Sequence, residues 1–284
     1  VRLRAGKQLD PTFATLLAED PAHFVADFDA MDLTQAVLEA EPGAPVWLVG
    51  DQIDLALSAI ADFGDLKSPH MIGHSRRVAA VAGAAARAAS LTAPDIARVT
   101  QAALIHDIGR IGVQSSLLGK SGTLSRAEHE RIRLHSYLTE RIFADSPVLA
   151  PLGSLGAPHH ERLDGSGYHR GFGATALSAP ARLLAAANAW CALTETRPHR
   201  QEMTEGEAAL ALSAQARAGL FDRKAVEAVL TSAGQRGSHH RRAAGIALSE
   251  REVEVLQLVA REETNAGVAL RLGISPKTVE RHVT

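Results

Sequence analysis

An all-α fold is predicted by three features of the sequence. Aromatic residues make up only 4% of the chain, alanine is abundant, and apolar side chains recur at three- and four-residue spacing through most of its length. That spacing is the period of a helix with one buried face, and the residue types favoured by strands are sparse. In chain order, a first helix is expected after Pro69, with His74, Val78 and Val81 on one face. The next is marked by Thr92 and Asp95 as a capping box around Pro94; Ile96, Val99 and Leu104 follow, and it ends on His106 and Asp107 before Gly109. Ser125 opens a third, with Glu128 three residues on to complete a capping box and Ile132, His135, Leu138 and Ile142 sharing a side. A mostly apolar run from Ala179 to Leu193 is a further helix, and glycine-bearing polar loops are expected at 119–123 and 164–173.

The 284 residues, 46% of them hydrophobic, suffice for a sizeable core. Lys and Arg total 30 against 32 for Asp and Glu, a net charge of −2, so the chain as a whole does not attract nucleic acid or an anionic membrane. Any DNA binding must rest on a local patch. The single cysteine, Cys191, excludes an internal disulfide framework. No apolar run approaches the roughly 18 residues that span a bilayer. A soluble, cytoplasmic protein with no membrane partner is expected. The chain starts at Val1 and stops at Thr284 within an expected helix, so a fragment of a longer protein is expected as well.

From Ser232 to Gly245 the sequence turns polar and basic without apolar periodicity, as a linker does. The expected organisation is an N-terminal segment (1–49), a helical domain (50–233), a linker (234–245) and a second domain (246–284). Gly6 to Leu17 resembles Gly219 to Leu230 in a pattern of glycine, apolar-Asp and amphipathic run. If that repeat is real, the N-terminal segment is the tail of a preceding copy of the same unit.

Seven side chains have the chemistry of a metal centre: His74, His106, Asp107, His135, His159, His160 and Asn188, spread over at least four elements. Imidazole and carboxylate are the usual ligands at hydrolytic iron, manganese or zinc centres, and an adjacent His-Asp pair at a helix end can serve one ion or bridge two. Any single histidine on an apolar face, His135 for instance, is more often a satisfied core residue. Together the seven say more than any one.

HSRRVA (His74 to Ala79), HDIGR (His106 to Arg110), IRLHS (Ile132 to Ser136), HHERLDGSGY (His159 to Tyr168) and LLAAANAWCALTETRPHR (Leu183 to Arg200) resemble the successive motifs of the HD-GYP branch of the HD phosphohydrolase superfamily, over about residues 60–231. The resemblance implies a helical bundle and metal ligation by His74, His106, Asp107, His135, His159 and His160. It also implies two or more divalent ions, iron or manganese, and hydrolysis of cyclic di-GMP by a metal-activated water. Asp107 and Arg110 would be catalytic; Arg110, Asp164, Gly165, Gly167 and Tyr168 would face the substrate. Four positions depart from the family. Asn188 stands where an aspartate ligand is normal, Arg110 replaces a lysine, His169 replaces a proline, and Cys191 stands where a second aspartate is common. A neutral amide is a poorer ligand for a hard cation, and arginine is not interchangeable with lysine. His70, expected on the face of His74 one turn earlier, is read as a surface histidine.

From Leu248 onward, Ser249 with Glu252 forms a capping box, Leu248 staples onto Val253, and Val253, Leu256 and Val259 make a stripe. Thr264 caps a second helix carrying Val268, Ala269 and Leu272; Gly273 turns the chain, and Ser275 with Pro276 opens a third. That order puts the last helix into a major groove. The segment resembles the LuxR-type helix-turn-helix at Glu250, Thr264, Asn265, Leu272 to Ser275, Thr278, Val279 and His282. The resemblance implies that Lys277, Thr278, Arg281 and His282 face DNA and Val279 the core. A fourth helix, present in the family, lies beyond Thr284, so the domain is expected to be C-terminally truncated. Gly267 replaces a charged helix former. Two readings of the whole chain stay open: a cyclic dinucleotide phosphodiesterase coupled to a DNA-binding domain, and a LuxR-family regulator whose HD-GYP module is catalytically degenerate. A different HD hydrolase is a third, and homodimerisation is left open.

Overall fold

In the computed structural model, residues 6, 10–22, 33–40, 46–198, 200–236, 250–259 and 263–283 are described. These residues are helical, joined by turns and two isolated bridges, Asp164 with Gly173 and Arg197 with Arg200. The chain divides into two compact units, Val1–Val49 and Gly50–Thr284. The first holds α1 (Pro11–Glu19) and α2 (Leu33–Glu39). Asp10 caps α1 by accepting from the backbone of Thr12 and Phe13, as Asp222 does later from Ala225. The segments compared as a repeat therefore share an aspartate cap.

The second unit begins with α3 (Asp51–Asp65), α4 (His74–Ala88) and α5 (Ala93–Ile105). A short α6 (Ser115–Leu118) leads to α7 (Arg126–Phe143), α8 (Ala150–Gly156), α9 (Ala179–Leu193), α10 (Glu205–Arg217) and α11 (Arg223–Arg236). Helix α4 is the centre of the bundle and packs on α5, α9 and α11. Its Val78, Ala82, Ala85 and Ala86 are buried against Val99, Ala102 and Ala103 of α5 and Leu184, Ala186 and Ala187 of α9. Small side chains at these contacts let the helix axes approach closely, which is the physical use of the abundant alanine.

Local sequence sets the helix boundaries. Ser125 and Glu128 form the expected capping box at α7, and Ser178 caps α9, whose limits match the expected run. At α5, Thr92 accepts from the Asp95 amide, but the return arm differs: Thr92 Oγ1 donates to Asp95 Oδ2 at 2.7 Å. The side chain of aspartate is one methylene shorter than that of glutamate.

Two expectations need correction. Pro69 opens only a 3-10 turn (Pro69–Met71), and Gly73 at φ +74° separates it from α4, which starts at His74. His70 is therefore not on the helical face of His74; it is exposed. On α7 the buried line is His135, Ser136, Thr139 and Phe143, with Leu138 half-buried and Ile142 45% exposed. Polar residues take the inner face because the HD turn docks there: Thr139 Oγ1 donates to the His106 carbonyl and accepts from the Gly109 amide, both at 3.0 Å.

At the C-terminal side are α12 (Glu250–Val259), α13 (Asn265–Leu272) and α14 (Pro276–Val283). Their core is Val255, Leu258, Val268, Ala269 and Val279. The expected stripe on α12 is thus shifted, with Leu256 and Val259 only half-buried, because α12 must meet both α13 and α14. Thr264 caps α13, and Gly273 turns the chain at φ +64°. Leu248, Ser249, the linker residues 237–245 and the side chains of Glu252, Val253 and His282 lie outside the described residues. Among the described residues, no helix is long and apolar enough to cross a membrane.

Candidate metal centre

All seven side chains of the expected centre converge. His74 comes from the start of α4, His106 and Asp107 from the end of α5, His135 from mid-α7, His159 and His160 from the 3-10 turn Ala157–His160, and Asn188 from α9. Every one but His160, which is half-buried, is buried. Asp107 stands at the middle with its two oxygens facing opposite ways. Oδ1 is 3.2 Å from His135 Nε2 and 3.3 Å from His159 Nε2. Oδ2 is 3.5 Å from His106 Nε2, 3.8 Å from His74 Nε2 and 2.7 Å from Arg110 Nε. The ligand atoms form two groups that share this carboxylate: Asp107, His135, His159 and His160 on one side, and His74, His106 and Asp107 on the other. Asn188 joins the second group, its Oδ1 lying 3.1 Å from His74 Nε2.

The imidazoles are pre-aimed. Nδ1 of His106, His135 and His159 lies 2.7, 2.6 and 2.8 Å from the carbonyls of Ala103, Ile132 and Gly156. A carbonyl can only accept, so Nδ1 carries the proton and Nε2 presents a lone pair towards Asp107. His74 has no such carbonyl, and its Nδ1 lies 2.8 Å from Glu195 Oε2 instead. Burial holds His106, His135 and His160 below the ordinary imidazole range, which favours the neutral form that a metal ligand needs. Burial pushes Asp107 upward, but the Arg110 guanidinium beside it outweighs that and holds the carboxyl well below its ordinary value.

This donor set fits divalent cations. Asp107 Oδ2 has the Arg110 ion pair, but Oδ1 and the Nε2 atoms of His106 and His160 are buried without a hydrogen-bond partner, an arrangement that is costly unless something positive lies among them. The mix of imidazole, carboxylate and amide suits first-row transition ions.

A cavity of about 430 Å³ opens beside the cluster. His74, His160 and Asn188 face it from the cluster, with Tyr168 alongside and the basic Arg110, Lys120, Arg133, Arg197 and Arg200 in its wall. A basic concavity of this size suits an anionic ligand. The Tyr168 ring stacks on His160 with centroids 4.6 Å apart, and the Arg133 guanidinium lies 5.0 Å from its centre.

Of the residues expected to face substrate, Arg110 and Tyr168 line the cavity, and Asp164, Gly165 and Gly167 do not. Asp164 is exposed and accepts from Ser166 within its own turn. A Cβ on Gly167 would fall 2.4 Å from Glu161 Cα, so that glycine is required by the folding of its own loop. The same loop is tied by the buried Glu161, which accepts from the amides of Arg170 and Phe172. His169, in the place of the family's proline, lies against Glu140 and Tyr137.

Sequence reasoning missed Glu195 and Asp65. Asp65 is buried under His74, accepting from the Ser75 amide and hydroxyl. Neither has a signal in local sequence; Glu195 meets His74 across 121 residues.

In the DNA-binding segment, Lys277 and Arg281 are exposed and Thr278 is half-buried on α14, while Val279 is fully buried beneath them.

Comparison with known proteins agrees with this geometry. Residues 59–225 match the HD domain family, and residues 247–284 match the luxR family of bacterial regulatory proteins. The chain is 33% identical over 207 residues to 3′3′-cGAMP-specific phosphodiesterase 3 of Vibrio cholerae, covering 72% of this chain and 45% of that protein. It is 34% identical over 161 residues to the cyclic di-GMP phosphodiesterase response regulator RpfG of Xanthomonas campestris, covering 56% and 42%. The chain thus spans under half the length of these relatives. A crystal structure of a cyclic GMP-AMP-specific phosphodiesterase of Vibrio cholerae superposes with a TM-score of 0.50 at 28% identity, covering 82% of this chain and 54% of that one. The chain belongs to the HD domain family, in its HD-GYP branch, and carries a luxR-type DNA-binding helix-turn-helix at residues 247–284.

Proposed function

We propose that this chain hydrolyses a cyclic dinucleotide at a metal centre and that this module is coupled to DNA binding by the C-terminal helices. The observation that carries the reading is the Asp107 carboxylate shared by two buried groups of ligand atoms. His74, His106, Asp107 and Asn188 would hold one divalent ion, and Asp107, His135, His159 and His160 another, with iron or manganese expected. Bound there, the ions supply Lewis acidity towards a phosphoryl oxygen and make water a nucleophile near neutral pH.

The protein's own groups do the rest. Arg110 fixes Asp107 through its ion pair and presents its remaining donors to the cavity, where a phosphodiester would sit. Tyr168 is kept protonated by burial and offers a neutral donor. Asp164, Gly165 and Gly167 would serve substrate by shaping the loop that carries Tyr168. Arg133 and Arg197 add positive charge for a doubly anionic ligand. The names of the relatives support 3′3′-cGAMP or cyclic di-GMP as the substrate. Lys277, Thr278, Arg281 and His282 would face DNA, and a second copy of the chain would be the natural partner on a symmetric site.

One observation favours a non-catalytic regulator instead. His74 Nε2 and Asn188 Oδ1 at 3.1 Å can satisfy each other by a direct hydrogen bond that needs no ion. The deciding experiment is chromatographic assay of 3′3′-cGAMP and cyclic di-GMP hydrolysis by the full chain, loaded anaerobically with iron or manganese. Turnover that disappears in His106→Ala is expected. An inactive parent with an active Asn188→Asp variant would establish the regulator reading.

A further inference from the structure

We propose that Glu195 is the positioning residue of this centre, holding His74 in the one tautomer that can ligate an ion. The proposal rests on the metal-centre reading above and assigns a role to a residue outside the ligand set. The other anchored imidazoles, His106, His135 and His159, are fixed by a carbonyl three residues earlier. His74 lies at the first position of α4, behind Gly73, and is fixed by a carboxylate from beyond the end of α9.

The contacts are specific. Glu195 is buried, and its Oε1 and Oε2 lie 3.0 and 2.8 Å from His74 Nδ1. Its Oε1 also lies 2.9 Å from Arg77 Nε, and its Oε2 accepts from Arg197 Nη2 at 2.8 Å. A carboxylate only accepts, so His74 Nδ1 carries a proton, and in the neutral ring Nε2 then faces the centre bare. With Asn188 Oδ1, itself an acceptor, at 3.1 Å, that neutral form is favoured when a cation lies between the two. Without Glu195 both neighbours of the ring would favour the opposite tautomer. Arg197 Nη2, already 3.4 Å from Nδ1, can only donate and would require a lone pair there. Asn188 Oδ1, 3.1 Å from Nε2, would then accept an Nε2 proton. In that state His74 and Asn188 satisfy each other and the second ligand group loses a donor. A carboxylate at Nδ1 also makes a ligating imidazole more basic, an effect typically worth about 10- to 100-fold in metal affinity. This half of the centre has the neutral Asn188 as its fourth group, so it has the greater need of that contribution.

Two measurements on the full chain test this. The first is nitrogen-15 NMR of the imidazole rings in metal-free protein. His74 should carry a proton on Nδ1 in the parent and only on Nε2 in Glu195→Ala, with Glu195→Gln, whose amide oxygen can still accept, close to the parent. The second is calorimetric titration with manganese. Glu195→Ala should weaken one binding step by about 10- to 100-fold and leave the step at His135, His159 and His160 unchanged. An unchanged His74 tautomer in Glu195→Ala overturns the proposal, and so does a loss shared equally by both steps. A parent that binds no manganese while its tautomers follow the pattern above would overturn the metal-centre reading and leave the assignment of Glu195 as the tautomer-setting group standing.

Discussion

His135 Nε2 and His159 Nε2 face each other at 3.3 Å. Both rings donate from Nδ1 to a carbonyl, so both Nε2 atoms carry lone pairs, and two bare lone pairs at that distance repel. A proton on either ring would relieve the repulsion, but burial disfavours the charged form of His135. A cation relieves it without that cost. Manganese should therefore raise the thermal midpoint of the chain progressively with concentration, reaching about 2.7 kcal/mol of added stability at a hundred times the dissociation constant. His159→Ala should remove the part of that increment that comes from the ion at His135, His159 and His160. Differential scanning calorimetry across a manganese series measures it; a midpoint independent of manganese would count against ligation at these histidines.

Gly109 holds the HD turn against α7. A Cβ at this position would lie 2.0 Å from the His135 carbonyl oxygen and 2.6 Å from the Thr139 amide nitrogen, both of them backbone atoms of a packed helix. Gly109→Ala must push His106 and Asp107 away from His135. A loss of about 3 kcal/mol or more is expected in urea denaturation, with manganese affinity falling in parallel. Stability within about 0.5 kcal/mol of the parent would mean that this contact is not tight in solution.

Much of this was legible in the sequence, and the gaps have physical causes. The capping box of Ser125 and Glu128 and the apolar run of α9 are local, so their helices were readable. The histidine cluster was readable because its spacing follows a family pattern. The inner face of α7 was misread at Ile142 because apolar periodicity cannot reveal that Ser136 and Thr139 are buried. Thr139 is inside because it bonds the backbone of a turn 30 residues away. The break at Gly73 that removes His70 from α4 depends on a backbone angle, and Glu195 reaches His74 only once α4 and α9 have packed.

Asp65 gives the stability a pH dependence of known sign. Burial raises its carboxyl from 3.8 to about 6, against the opposing pull of His74 and Ser75. The folded state therefore binds this proton more tightly than the unfolded chain. The contribution is fully present below about pH 4 and is lost as pH rises through 6, up to roughly 3 kcal/mol in all. Asp65→Asn should remove that descent. Urea denaturation of chelated protein between about pH 4 and 7 measures it as the difference between parent and variant; parallel curves would show that Asp65 is not protonated in the folded state.

Lys277 and Arg281 are exposed on α14 above the buried Val279. If they neutralise DNA phosphates, each alanine substitution should lower affinity and reduce the slope of log affinity against log salt by about 1. Fluorescence anisotropy with duplex DNA at several salt concentrations reads both. An unchanged slope in the double variant would remove these two side chains from the interface.

The central claim is that the buried cluster around Asp107 is a metal centre, and anomalous diffraction at the iron and manganese absorption edges tests it most directly. Crystals of the full chain grown with either ion should show anomalous peaks on both sides of the Asp107 carboxylate, one beside His74 and His106 and the other beside His135, His159 and His160. Absence of any peak in crystals grown with saturating metal, with His74 and Asn188 hydrogen-bonded to each other, would contradict the account.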